Sequence, residues 1–86
     1  MHRLIVRETA QRQMERLPKH VYESVKERIS NLRHEPRPHG VRKLAEGFGW
    51  CIRVGDYRVI YRIDDKEQVV FIAAVKPRQS AYRRKS

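Results

Sequence analysis

The chain is short of several things that would steer it towards familiar function classes. Of its 86 residues only one is cysteine, Cys51. A lone thiol excludes an internal disulfide framework and a cysteine-built zinc cluster, and it fits a reducing cytoplasm. No apolar run approaches the roughly 20 residues that a membrane-spanning helix needs. Leu4-Ile5-Val6, behind Met1-His2-Arg3, is too short for the apolar core of a secretory signal. The histidines, His2, His20, His34 and His39, are scattered without metal-ligand spacing, so neither a metal nor another cofactor is expected. Acid is scarce as well. Ten Asp and Glu stand against twenty Lys and Arg, a formal net charge of +10.

That charge is the strongest global property. A domain this basic matches nucleic acid, an acidic protein or an anionic surface. The bases are unevenly spread. Up to Glu35 both signs are mixed, whereas from Lys76 to Ser86 the bases Lys76, Arg78, Arg83, Arg84 and Lys85 face no acid at all. Residues 1–86 are expected to form one domain carrying this basic C-terminal segment, 76–86.

Periodicity gives the layout. Leu4-Ile5-Val6 reads as a first strand. Thr9 is the expected N-cap of a helix carrying Ala10, Met14 and Leu17 on one side. Pro18 ends it and suits the first turn of a second helix, whose stripe is Val21, Val25, Ile29 and Leu32. Glu23 and Glu27 lie off that stripe and read as a solvated face. Glu35-Pro36-Arg37-Pro38-His39-Gly40 stops the helix, and a loop is expected through Val41-Arg42-Lys43-Leu44 to Gly47-Phe48-Gly49. Three strands follow: Trp50 to Val54, Tyr57 to Ile63, and Val69 to Val75. The last is apolar on both faces, as in a central strand, and Asp64-Asp65-Lys66-Glu67 makes the turn before it. The expected fold is α+β, in the order β-α-α-β-β-β, with two helices packed on one face of a small, mostly antiparallel sheet.

The hairpin is the informative element. Gly55-Asp56 is a two-residue turn signal, which sets Val54 opposite Tyr57 and Arg53 opposite Arg58. Alternation gathers Trp50, Ile52, Val54, Tyr57, Val59, Tyr61 and Ile63 on a core face. The other face collects Cys51, Arg53, Arg58, Ile60 and Arg62, with nothing before the tail to cover it. Like charges directly opposite destabilise a sheet. The pair is best tolerated where an anion sits between its members, and a nucleic-acid phosphate is the candidate. Tyr57, Tyr61 and Trp50 belong to the core or its rim, and no histidine is placed to activate Cys51.

With Lys43-Leu44, the run Arg53-Val54-Gly55-Asp56-Tyr57-Arg58-Val59-Ile60-Tyr61-Arg62-Ile63 and the later Arg78 and Tyr82-Arg83, the chain resembles the RelE/ParE superfamily of toxins, most closely its RelE branch. The resemblance implies the microbial RNase fold, a small antitoxin partner, and a ribosome-dependent endoribonuclease that cuts mRNA in the A site. It implies attack of a ribose 2′-OH on the adjacent phosphate, leaving a 2′,3′-cyclic phosphate and a 5′-OH. By the same likeness Arg58 and Arg78 stabilise the transition state, Tyr82 is the general base, and Arg53 contacts the phosphate or moves a proton. Lys43, Arg62, Lys76, Arg83 and Arg84 are the expected RNA contacts. Two positions depart from the family pattern. Cys51 stands where the best-studied type of RelE carries a second lysine, with Lys43 and Lys76 as candidate replacements, and Pro77, just before Arg78, stands where many relatives have histidine. The competing expectations are a ParE-like inhibitor of DNA gyrase without nuclease chemistry, and an inactive basic RNA-binding module.

Overall fold

Most elements of the fold can be traced to a local cause in the chain. The structure, a computed structural model, describes residues 1–45, 47 and 49–77. Strand β1 (Arg3–Val6) runs directly into helix α1 (Glu8–Glu15), which is followed by helix α2 (Lys19–Asn31). Thr9 is not the cap. Arg7 holds the N-cap position in extended backbone (φ −63°, ψ 146°), and no side chain caps the helix. The reason is continuity with the sheet. The Arg7 N–H still donates to the Ile72 carbonyl at 3.0 Å, while the Arg7 carbonyl already accepts the Gln11 N–H. Pro18 is the N-cap of α2, where its missing N–H costs nothing.

Four further strands complete a five-stranded sheet: β2 (Arg42–Lys43), β3 (Trp50–Val54), β4 (Tyr57–Asp64) and β5 (Val69–Pro77). The spatial order is β1-β5-β4-β3-β2. Strand β1 lies parallel to β5, and every other pairing is antiparallel. Strand β2 falls where the sequence suggests only a loop. Two residues are too few to show alternation, and the pairing is secured from outside by a bond from the Leu44 N–H to the Gly49 carbonyl. Gly49 (φ +91°) makes that return possible, because a Cβ there would strike the Tyr61 carbonyl oxygen.

The helices cover one face, as the stripes require. Ala10 and Met14 of α1, and Val25 and Ile29 of α2 with Leu32 beyond its end, are buried against Ile52, Val54, Val59, Tyr61, Val70, Ile72 and Val75. Leu17, Val21, Trp50 and Ile63 pack around this core, half-buried. The central place of β5, between β1 and β4, explains its apolar sequence. No helix of the described residues is long and apolar enough to cross a membrane.

Candidate functional site

The hairpin register is the expected one: Arg53 pairs with Arg58 and Val54 with Tyr57. Gly55 adopts φ +62° and Asp56 a negative φ, so the turn is of type II′, whose twist matches that of the strands. The register continues across the sheet, because Arg58 also pairs with Lys76 of β5. Arg53, Arg58 and Lys76 therefore form one row across three adjacent strands. The neighbouring row runs Arg42, Cys51, Ile60, Ala74. Arg42 thus joins the same face, beside Cys51. Sequence reasoning overlooked Arg42 because it lies in a stretch without strand character.

These cations have no acidic partners among the described residues. Among the described residues, the ion pairs are His2 with Asp65, Arg12 with Glu8, and Arg37 with Asp65. Arg42, Arg53, Arg58 and Lys76 take part in none of them. The charges of Arg58, Arg42 and Arg53 act on Cys51, which is buried. Burial pushes the Cys51 thiol up, and Arg58, Arg42 and Arg53 only partly oppose it. The thiol therefore stays protonated at neutral pH, and nucleophilic catalysis by Cys51 has no support in its surroundings.

Other expected residues are placed differently. Arg62 is on the open face, but its guanidinium donates to the Gly47 carbonyl at 2.7 Å, tying β4 to the loop before β3. Lys43 pairs with Trp50 and so lies on the opposite side of the sheet from Arg53 and Arg58. Its ammonium sits 5.6 Å from the centre of the Trp50 ring, and the Arg37 guanidinium sits 5.1 Å from it. Trp50, half-buried at the rim of the core, thus has two cations against its ring. Of the two candidates to replace the lysine absent at Cys51, only Lys76 joins the row. Arg78, Tyr82, Arg83 and Arg84 lie outside the described residues. No group of three His, Cys, Asp or Glu among the described residues could hold a metal ion.

Tyr61 confirms the division between faces. It is fully buried, and its hydroxyl donates to the Pro36 carbonyl at 2.7 Å, anchoring the loop after α2. Burial raises its phenol from the ordinary 10.0 to about 12. The folded state thus favours the neutral phenol. Its contribution is fully present below pH 10 and is lost as the pH rises towards 12. Tyr61→Phe should cost about 1 kcal/mol near neutrality. It should also flatten the loss of stability between pH 10 and 12, as read from urea denaturation at a series of pH values. An unchanged alkaline profile would show that another group governs it.

Comparison with known proteins agrees with this geometry. The family described as "ParE toxin of type II toxin-antitoxin system, parDE" matches residues 4–82. Toxin RelG of Mycobacterium tuberculosis (strain ATCC 25618 / H37Rv) is 39% identical over 80 residues, covering 88% of this chain and 90% of that protein. A chain of the archaeal RelE–RelB complex from Pyrococcus horikoshii OT3 superposes with a TM-score of 0.82 at 33% identity, over 92% of this chain and 97% of that one. A chain of the toxin–antitoxin complex RelBE2 from M. tuberculosis gives 0.78 at 30% identity, over 90% and 98%. With its sheet and helices matching those of these relatives, the chain belongs to the RelE/ParE superfamily of type II toxin–antitoxin toxins.

Proposed function

We propose that this toxin is an endoribonuclease that cuts mRNA in the ribosomal A site and so stops translation. The observation that carries the reading is the Arg53–Arg58 pair, two guanidinium-bearing residues in direct register on a face where neither has a carboxylate partner among the described residues. Guanidinium groups match phosphate oxygens geometrically and keep their charge at any physiological pH. In the proposed reaction the ribose 2′ oxygen attacks the adjacent phosphorus. The new P–O2′ bond forms as the P–O5′ bond breaks, leaving a 2′,3′-cyclic phosphate. One proton leaves the 2′ hydroxyl for a base, and another reaches the departing 5′ oxygen. Negative charge grows on the non-bridging oxygens, and Arg53 and Arg58 are preorganised to stabilise it.

The remaining roles follow the resemblance. Tyr82 is the base, its phenol brought into range by neighbouring arginines, and Arg78 supports the transition state and the leaving oxygen. Arg83 and Arg84 extend the basic surface along RNA. The partner is a cognate antitoxin, as in the RelE–RelB and RelBE2 complexes. A small, partly disordered protein with acidic segments would complement the +10 charge.

A second reading has its own support, since the matching family description names ParE. On that reading the chain inhibits DNA gyrase and performs no chemistry. Induction in bacteria separates the two. The nuclease reading expects growth arrest with new mRNA 5′ ends inside A-site codons, relieved by Arg78→Ala or Tyr82→Phe in a folded product. Arrest with intact mRNA and gyrase cleavage complexes would establish the gyrase reading instead. A folded product without toxicity would leave only a basic binding module.

A further inference from the structure

Lys76 should not, by simple alternation, lie on the basic face. Val70 and Ile72 of β5 are fully buried under the helices, so strict alternation would send residues 74 and 76 to the same side. The structure breaks the rhythm. Ile60 pairs with Ala74 and Tyr61 with Ile72, which leaves Ala73 with no residue opposite it, a β-bulge. Beyond the bulge the faces exchange. Val75 enters the core at 3% exposure, and Lys76 emerges opposite Arg58. The bulge is also held from the helix layer, because the Gln13 side-chain carbonyl accepts the Val75 N–H at 2.7 Å. The inserted residue thus does two things at once. It completes the core with Val75, and it adds a cation to a row that already carries two.

A third like charge in register is a cost without local compensation, since each opposed pair is unfavourable by a few tenths of a kcal/mol or more. No described carboxylate pairs with Lys76. Adjacent strands are about 4.8 Å apart, so the row from Arg53 to Lys76 extends over about 10 Å. One phosphate group is smaller than that. Arg53 and Arg58 can share a single phosphate, whereas Lys76, a strand further on, lies past it.

We propose that Lys76, delivered by the Ala73 bulge, forms a second phosphate subsite that binds the backbone phosphate next to the one held by Arg53 and Arg58. The inference rests on the RNA-cutting reading for the identity of the strand. The subsite contributes binding and register, not bond breaking. It recognises the sugar–phosphate backbone and carries no base preference.

The test uses the full chain and a 2′-O-methyl oligoribonucleotide, which lacks the attacking hydroxyl and so reports binding alone. Affinity is measured over a range of salt concentrations. On a single strand, each phosphate contact contributes about 0.7 to the slope of log K against log salt. Lys76→Ala should lower the slope by about 0.7, and Lys76→Arg should restore it. With cleavable mRNA on ribosomes, Lys76→Ala should raise KM and leave kcat near wild type. An unchanged slope overturns the proposal. So does wild-type binding without salt dependence, or a fall in kcat at constant KM, which would place Lys76 at the reacting phosphate. If the wild-type chain leaves mRNA intact, the nuclease reading fails, and the salt slope still decides whether Lys76 holds a phosphate.

Discussion

Arg58→Ala is expected to abolish the growth arrest and to leave a folded protein. Arg58 is the middle member of the row, opposed by Arg53 on one side and Lys76 on the other. On the proposed reading the reacting phosphate is shared by Arg53 and Arg58, so Arg58 touches it directly. Removing one preorganised donor from a developing oxyanion typically lowers kcat by about 100- to 1000-fold. The fold should tolerate the change, because the Arg58 guanidinium forms none of the described ion pairs or side-chain hydrogen bonds. Relief of like-charge opposition would raise stability by a few tenths of a kcal/mol. Single-turnover cleavage on programmed ribosomes gives the rate, and thermal denaturation checks the fold. A variant that stays toxic and cuts at the wild-type rate would remove Arg58 from the mechanism.

The largest expected loss of stability is at Ile72. It is fully buried, paired with Val6 of β1 and Tyr61 of β4, and its carbonyl holds the start of α1 through Arg7. Ile72→Ala removes apolar volume where three layers of contact meet, and such truncations cost about 2–5 kcal/mol. The whole domain is expected to be stable by only about 5–10 kcal/mol, so half or more of the margin could go. Ile5, on the opposite face of β1 and 42% exposed, supplies the contrast. Ile5→Ala should cost well under 1 kcal/mol, as exposed sites generally do. Urea midpoints measured for both variants test the pair. Equal losses would contradict the assignment of faces.

The hairpin was legible because everything that determines it is local. Gly55 supplies the positive φ, and the flanking residues alternate, so the turn and the register follow together. The helix stripes were legible for the same reason. Residues that depend on distant partners were not. Arg42 looks like part of a loop until its pairing with Cys51 is known. Lys43 looks like its equal, yet neighbouring strand residues face opposite ways, and Lys43 goes to Trp50. Thr9 is a better cap than Arg7 by residue type, but Arg7 is already committed to Ile72 across the sheet. The side to which Lys76 turns depends on one extra residue in β5, and Ala73 resembles any other apolar strand residue.

The parallel pairing of β1 with β5 has a consequence for the order in which the molecule is assembled. Arg3 meets Val69 and Val6 meets Ile72, so β1 waits for a partner made almost at the far end of the described chain. Closing a loop of that length costs on the order of 3–4 kcal/mol before any contact compensates. The helices and the β3–β4 hairpin are local and are expected to form before it. Until β5 docks the sheet is unfinished, with Arg53 and Arg58 opposed in the hairpin and Lys76 not yet beside them. Completion of the basic row is therefore expected to be a late folding step, set by the docking of β5.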